Sequence, residues 1–282
     1  MQDINLYYWD AAPNFGDQLN IDICKNIFHV NPVCVSPNEC EAAFVGSLLD
    51  DFLCDSKECE LYQTYFESLE PVKIWGAGFI AGKNKFLKRP FYKPEFYFRR
   101  ITPYAVRGNK SLKRLEKIFH CKFPDTVVAD PGLLVSELLH SNHIEKKYRI
   151  GIIPHHLEKE DAVYKDICIK NSVIIDIEAS IQEILHTIAQ CEIIASASLH
   201  GIIAADSLGI PNGRLIASNK ILGGDYKFED YDSSLHVKRL TFDIRKHELT
   251  ESNVKQITDN YYITKKQINC KKEELINSFP YK

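Results

Sequence analysis

What the sequence lacks already excludes several classes of protein. None of its nine cysteines forms a Cys-x-x-Cys pair, and the number is odd, so neither a zinc knuckle nor a disulfide framework is expected. They read as reduced thiols, mostly in the core. No uncharged apolar run reaches the roughly 18 residues that a membrane-spanning helix needs. The longest, Ile193 to Ala205, is broken by Ser196, Ser198, His200 and Gly201. The start, Met1-Gln2-Asp3-Ile4, lacks the basic-then-apolar pattern of a secretory signal, so a cytoplasmic location is expected. Charge excess is missing as well. Lys and Arg number 35 against 38 Asp and Glu, a formal net charge of −3, and no zinc, helix-turn-helix or RNP-like signature occurs. No nucleic-acid partner is expected.

What is there suits a packed globular protein. A chain of 282 residues with 45% apolar and 26% charged content can bury a large core, and its length suggests two domains. Short β-branched or aromatic runs alternate with amphipathic stretches. Strands are predicted at Ile4-Trp9, Ala42-Val45, Val72-Trp75, Phe96-Phe98 and Tyr104-Val106, and helices at Asp17-Phe28 and Lys110-Phe119. After the polar stretch His140-Lys147 the alternation restarts: strands Arg149-Ile153, Val173-Ile177, Glu192-Ala195 and Arg214-Ala217, helices Lys159-Ile169, Ile181-Ala189 and His200-Leu208. The expected class is α/β with two Rossmann-like domains, residues 1–145 and 146–250. In 251–282, apolar residues at helical spacing, interrupted by Thr264, predict a helical tail packing back on the body.

Candidate chemistry gathers at strand ends. Asn14-Phe15-Gly16-Asp17 follows the first strand and opens a helix, where a parallel sheet presents loops to a ligand; Gly16 allows a tight turn and Asp17 suits an N-cap. Trp75-Gly76-Ala77-Gly78 ends a strand with two glycines whose amides could approach a ligand. Arg107 sits between a strand and a helix, where its planar fork could grip a carboxylate or phosphate. The most informative run, Ala195-Ser196-Ala197-Ser198-Leu199-His200-Gly201, places a histidine and two serines where a helix begins, a setting for an anion and an acid/base. Lys220-Ile221-Leu222-Gly223-Gly224-Asp225-Tyr226-Lys227 reads as a glycine-containing loop with two cations, a further cleft wall. His155 and His156 end a strand without companion ligands at metal spacing, so no metal is assigned.

Together these segments, with Asp130-Pro131-Gly132 and Gly223-Gly224-Asp225-Tyr226-Lys227-Phe228, resemble the polysaccharide pyruvyltransferase family in their order and spacing. The resemblance implies a fold similar to the GT-B glycosyltransferases. It also implies transfer of pyruvate from phosphoenolpyruvate, a co-substrate, to two hydroxyls of a surface-polysaccharide precursor as a cyclic ketal, without a cofactor. Carried over, His200 is the catalytic residue, and Arg107, Ser198, Leu199, Gly201 and Lys227 bind the donor. Asn14, Gly16, Asp17, Gly76, Gly78 and His155 line the acceptor side or the cleft. One departure stands out: some members carry Arg two residues before the histidine, where this chain has Ser198. A cation elsewhere must then compensate, with Arg214, Lys220 and Lys227 as candidates. A nucleotide-sugar glycosyltransferase is the alternative, and a glycan-binding scaffold without catalysis a third reading.

Charge is unevenly distributed. Glu39 to Glu70 holds nine acids and one Lys, whereas Lys83 to Lys122 holds thirteen Lys or Arg and two Glu, interleaved with aromatics. Lys85, Lys88, Arg89 and Lys93 with Phe86, Phe91 and Tyr92 suit an anionic membrane surface, where a lipid-linked saccharide acceptor would be met.

Overall fold

The computed structural model describes residues 1–10, 14–53, 70–82, 99–140 and 144–281. The expected strand Phe96-Phe98, the cluster Lys85 to Lys93 and residues 54–69 of the acidic segment lie outside the described residues. Two sheets form, and every strand pair in them is parallel. The first comprises β1 (Gln2–Tyr7), β2 (Val30–Cys34), β3 (Ala42–Ala43), β4 (Val72–Trp75), β5 (Ile101–Val106) and β6 (Val127–Val128), in the order β2-β1-β3-β4-β5-β6. The second comprises β7 (Tyr148–Ile153), β8 (Ser172–Ile174), β9 (Cys191–Ser196), β10 (Asn212–Ile216) and β11 (Thr241–Asp243), in the order β11-β10-β9-β7-β8. The class is therefore α/β, with Rossmann-like sheets.

Each sheet reverses its strand order once, beside its first strand. In the first sheet β1 lies between β2 and β3; in the second β7 lies between β8 and β9. Such a reversal opens a crevice at the carboxyl ends of the strands, because the two connections leave toward opposite faces. The first turns of the helices that follow β1 and β9, Phe15–Asn26 and Leu199–Ser207, carry Gly16 and His200 and lie at these two crevices.

Burial follows from the sequence pattern. In β7 the residues Ile150, Ile152 and Ile153 and in β9 Ile193, Ile194 and Ala195 are buried, the near-continuous apolar run of strands covered on both faces. The helix Ile181–Ala189 starts at a capping box between Ser180 and Glu183 and turns Ile184, Leu185 and Ile188 inward. One apolar cluster joins both sheets, from Leu6 and Trp75 to Ile153, Ile194 and Ile203.

The tail is two helices, Glu251–Asp259 and Lys265–Asn277, and Thr264 caps the second by accepting from Gln267 N. It returns to the first sheet. Phe279 stacks on Phe28 with centroids 3.7 Å apart and meets Trp75 edge-on at 5.0 Å, while Trp75 Nε1 donates to Leu275 O at 3.2 Å.

Several expected elements are shorter or different. The predicted helix Lys159-Ile169 contracts to Ala162–Lys165, because Glu158 and Asp161 hold turns, their amides donating to His155 O and Glu158 O. The predicted strand Val173-Ile177 pairs only over Ser172–Ile174. The segment read as a loop from Lys220 becomes helical at Tyr226–Ser234. That helix docks on the start of helix Asn109–Phe119. Asp230 accepts from Ser111 N at 2.8 Å, Ser111 Oγ at 2.6 Å and Arg107 Nε at 3.0 Å, and is fully buried.

Removing one partner of such a buried pair strands the other, at a cost of about 3–5 kcal/mol. Asp230→Ala is therefore expected to lower the free energy of unfolding by about that amount. Denaturant titration measures it; a loss below about 1 kcal/mol, the range of an exposed pair, would contradict the buried clamp.

Candidate active site

The site is built where the loop after β9 meets the loop after β1. Ser196 Oγ accepts from Ser198 N at 3.0 Å and donates to Ser198 O at 2.8 Å, folding the tight turn into helix Leu199–Ser207. Ser198 occupies the N-cap position but makes no side-chain cap bond. The amides of the helix's first turn are thus left open at its positive end. His200 lies in that turn, and its ring packs directly over Gly16: a side-chain carbon built there would fall 1.9 Å from His200 Nδ1. Gly16 is required because no larger residue leaves room for the imidazole.

The two ring nitrogens of His200 have different surroundings. Nε2 is sealed from solvent and has no hydrogen-bond partner, although the residue as a whole is only partly buried. Nδ1 lies on the Gly16 side. Burial, then the charges of Arg107 and Lys227, pull the imidazole pKa down to about 3, so the ring is neutral at physiological pH.

Lys227 supplies the local positive charge. It stands in the first turn of helix Tyr226–Ser234, and no hydrogen bond or carboxylate holds its ammonium among the described residues. Burial, with Arg107 and Arg214 nearby, lowers its pKa to about 8 against the opposing pull of Asp17 and Glu158. Its charge is felt by Asp17, His155, His156 and His200, which places these side chains around one cation. The other two candidate cations are engaged: Arg214 pairs with Asp225 at 2.7 Å and Lys220 with Asp161 at 2.6 Å.

Asn14, not Asp17, is the N-cap of helix Phe15–Asn26; its side chain accepts from Gly16 N at 3.2 Å and donates to Asp17 Oδ2 at 2.6 Å. Asp17 sits in the first turn, where burial raises its pKa to about 7 against the bond from Asn14 and the charge of Lys227. His155 is buried, stacks on His156 at 4.3 Å, and has its pKa lowered to about 3, chiefly by burial.

Five expected site residues are placed otherwise than their sequence positions suggest. Arg107 is 1% exposed; it donates to Asp230 Oδ2, to Ser47 Oγ at 2.8 Å and to Phe79 O, so its fork faces protein groups rather than the cleft. Gly78 makes room for that guanidinium, since a side-chain carbon there would lie 2.5 Å from Arg107 Cζ. Gly76, at φ +93°, packs on Pro131, and the amides of Gly76 and Gly78 are bonded to Ala105 O and Gly46 O. Neither glycine amide is free for a ligand. The Leu199 side chain belongs to the core, and Gly201 packs on Ser196 and Ile153, so only their backbones can face the cleft.

Asp230 was not foreseen, because its partners lie more than a hundred residues away. Asp130 was visible only as part of a motif; it is completely buried and caps the 3-10 helix Pro131–Leu138 by accepting from Gly132 N at 2.8 Å. Among the described residues no group of three or more His, Cys, Asp or Glu is arranged to hold a metal ion, and no helix is long and apolar enough to cross a membrane.

This architecture agrees with comparisons to known proteins. A family model described as polysaccharide pyruvyl transferase matches residues 3–215, and the chain belongs to that family. Among similar proteins is the uncharacterized protein L143 of Acanthamoeba polyphaga mimivirus, 27% identical over 252 residues that cover 84% of this chain and 76% of that protein. Another is the succinoglycan biosynthesis protein ExoV of Rhizobium meliloti (strain 1021), 26% identical over 237 residues covering 82% of this chain and 65% of that protein. The chain thus matches just under two thirds of the length of ExoV. A solved structure, the functionally uncharacterized KP1_0663 of Klebsiella pneumoniae subsp. pneumoniae NTUH-K2044, is similar at a TM-score of 0.43 and 12% identity, over 81% of this chain and 87% of that one.

The contact between Gly16 and His200 makes a non-additive expectation. Gly16→Ala forces the imidazole aside and is expected to destabilise by about 1–3 kcal/mol, as overpacking does. Adding His200→Ala removes the obstruction, so the double variant is expected to unfold at higher denaturant than Gly16→Ala alone. Strictly additive effects on the two midpoints would show that the residues do not touch.

Proposed function

We propose that this chain transfers the pyruvyl group of phosphoenolpyruvate to two hydroxyls of a saccharide, forming a cyclic ketal on a surface-polysaccharide precursor. The reaction takes place in a cleft between two Rossmann-like domains set as in GT-B glycosyltransferases. The observation that carries this reading is the pairing of a neutral His200, at the uncapped start of helix Leu199–Ser207, with a Lys227 ammonium that no carboxylate holds among the described residues. Family membership and the similarity to a succinoglycan biosynthesis protein support the polymer class of the acceptor.

The chemistry needs those groups. Phosphoenolpyruvate brings a carboxylate and a phosphate, so the site must offer fixed positive charge; Lys227 and the amides of Leu199, His200 and Gly201 supply it. Neutral His200 takes the proton of the first acceptor hydroxyl and delivers it to the methylene carbon, which becomes the methyl group, while the hydroxyl oxygen bonds to C2. The C2–O bond to phosphate then breaks. The second hydroxyl oxygen closes the ring on C2, and its proton leaves with inorganic phosphate. Oxidation states balance without an external oxidant or reductant. Arg107 contributes to the positive field from behind the wall, as its effect on both His200 and Lys227 indicates.

The direct test is phosphate release from phosphoenolpyruvate in the presence of a panel of free, nucleotide-linked and lipid-linked saccharides. Release that depends on one of them is expected, and release that requires a nucleotide sugar in place of phosphoenolpyruvate would favour a glycosyltransferase instead. His200→Ala is expected to lower turnover by about 10²- to 10⁴-fold while leaving phosphoenolpyruvate affinity nearly unchanged. Turnover near the wild-type rate would remove His200 from the chemistry.

Lys227 makes a pH expectation with a definite sign. Its ammonium is charged below about 8 and loses the charge above it. Phosphoenolpyruvate affinity is therefore expected to weaken as pH rises through that value. Calorimetric titration of wild type and Lys227→Met across this range reads the effect, and the variant should bind weakly at low pH with the bend gone. A bend that survives in Lys227→Met would assign it to another group.

A further inference from the structure

The reading of His200 as a base leaves one question about its ring: what holds the proton on Nε2. Within the described residues two buried polar atoms near that ring have no hydrogen-bond partner, His200 Nε2 and Asp130 Oδ2. Both groups flank Gly132. A side-chain carbon built on Gly132 would lie 3.1 Å from Asp130 Oδ1 and 3.6 Å from His200 Cδ2, the ring carbon bonded to Nε2. Gly132 therefore keeps the space between the carboxyl and the imidazole open. Asp130 Oδ1 is committed to Gly132 N, so Oδ2 is the oxygen available.

We propose that Asp130 is the positioning residue of His200: the two orphaned atoms are not bonded to each other in this structure, and closing the gap across Gly132 lets Oδ2 accept from Nε2–H, which leaves the lone pair on Nδ1. This inference rests on the proposed role of His200 as a base. Its physical logic is that of any carboxylate behind a catalytic imidazole: it selects the tautomer, and it stabilises the imidazolium that forms when the ring takes a proton. A carboxylate serves because the other charges around the ring are positive. Arg107 and Lys227 face His200, and Arg107 and Asp230 face Asp130. Burial, with Asp230, raises the Asp130 carboxyl to about 6 against the opposing Gly132 bond and Arg107.

The test is a tautomer measurement that needs no substrate. Nitrogen NMR of histidine-labelled protein at pH 7, with the His200 signals assigned by their loss in His200→Gln, is expected to show a protonated Nε2 and an unprotonated Nδ1. Asp130→Asn keeps the Gly132 bond through its amide oxygen but places an N–H where Oδ2 was. It should move the proton to Nδ1 and lower kcat by about 10²- to 10⁴-fold with the phosphoenolpyruvate KM nearly unchanged. Asp130→Ser, whose hydroxyl can also cap Gly132, should lower kcat in the same way and covers the case of an unstable Asn variant. A wild-type ring protonated on Nδ1, or an unchanged tautomer and kcat in a folded Asp130 variant, would overturn the proposal. If wild-type protein releases no phosphate with any acceptor, the functional reading fails while the tautomer still decides the Asp130–His200 contact.

Discussion

The buried ion pair between Arg107 and Asp230 is the constraint on which the site depends. Taking two charges out of water costs several kcal/mol for each ion, and is tolerated only where hydrogen bonds satisfy the remaining valences. Here they do. Arg107 also donates to Ser47 and Phe79, and Asp230 also accepts from the amide and hydroxyl of Ser111 at a helix N-terminus. The pair ties the end of β5 in the first sheet to helix Tyr226–Ser234, which follows β10 of the second. Lys227 stands three residues before Asp230, on the same side of that helix, so anchoring Asp230 also places Lys227. The imidazole and the ammonium thus come from separate segments and are brought to one place by contacts that themselves bind no substrate.

The glycines of the site share this logic. Gly16 admits the His200 ring and Gly78 admits the Arg107 guanidinium. In a Gly-rich phosphate loop, absent side chains let the ligand approach the backbone; here they let one part of the protein approach another. The uncapped amides are at the start of helix Leu199–Ser207 instead, where the Ser198 side chain makes no cap bond.

Much of this was legible from residue patterns. The two α/β units, the strand Val72–Trp75 and the helix Ile181–Ala189 follow from periodicity and capping, and the place of His200 at a strand-to-helix turn was visible in the same way. What escaped depended on distant partners or on edge positions. Strand β2 was missed because Pro32 interrupts its pattern, which is allowed at the edge of a sheet where no neighbour needs that amide on the far side. The helix from Tyr226 was hidden behind Gly223 and Gly224, and its burial of Phe228, Asp230 and Tyr231 makes sense only against helix Asn109–Phe119 and Asp206. Arg107 was expected to grip the donor anion, and in the structure its guanidinium is paired with a carboxylate of the chain. That carboxylate is Asp230, and sequence separation conceals the pairing. The loss of an arginine at Ser198 became interpretable only once Arg214 and Lys220 were seen to be paired and Lys227 was not.

The central claim is that phosphoenolpyruvate is held between His200 and Lys227 while Arg107 remains locked behind them. A crystal structure of the protein with phosphoenolpyruvate bound tests it most directly. The account predicts an anionic group of the ligand in ion-pair contact with Lys227 Nζ, the methylene carbon beside the His200 ring, and the Arg107–Asp230 pair intact. Phosphoenolpyruvate bound away from Lys227, or Arg107 released from Asp230 to grip it, would contradict the account.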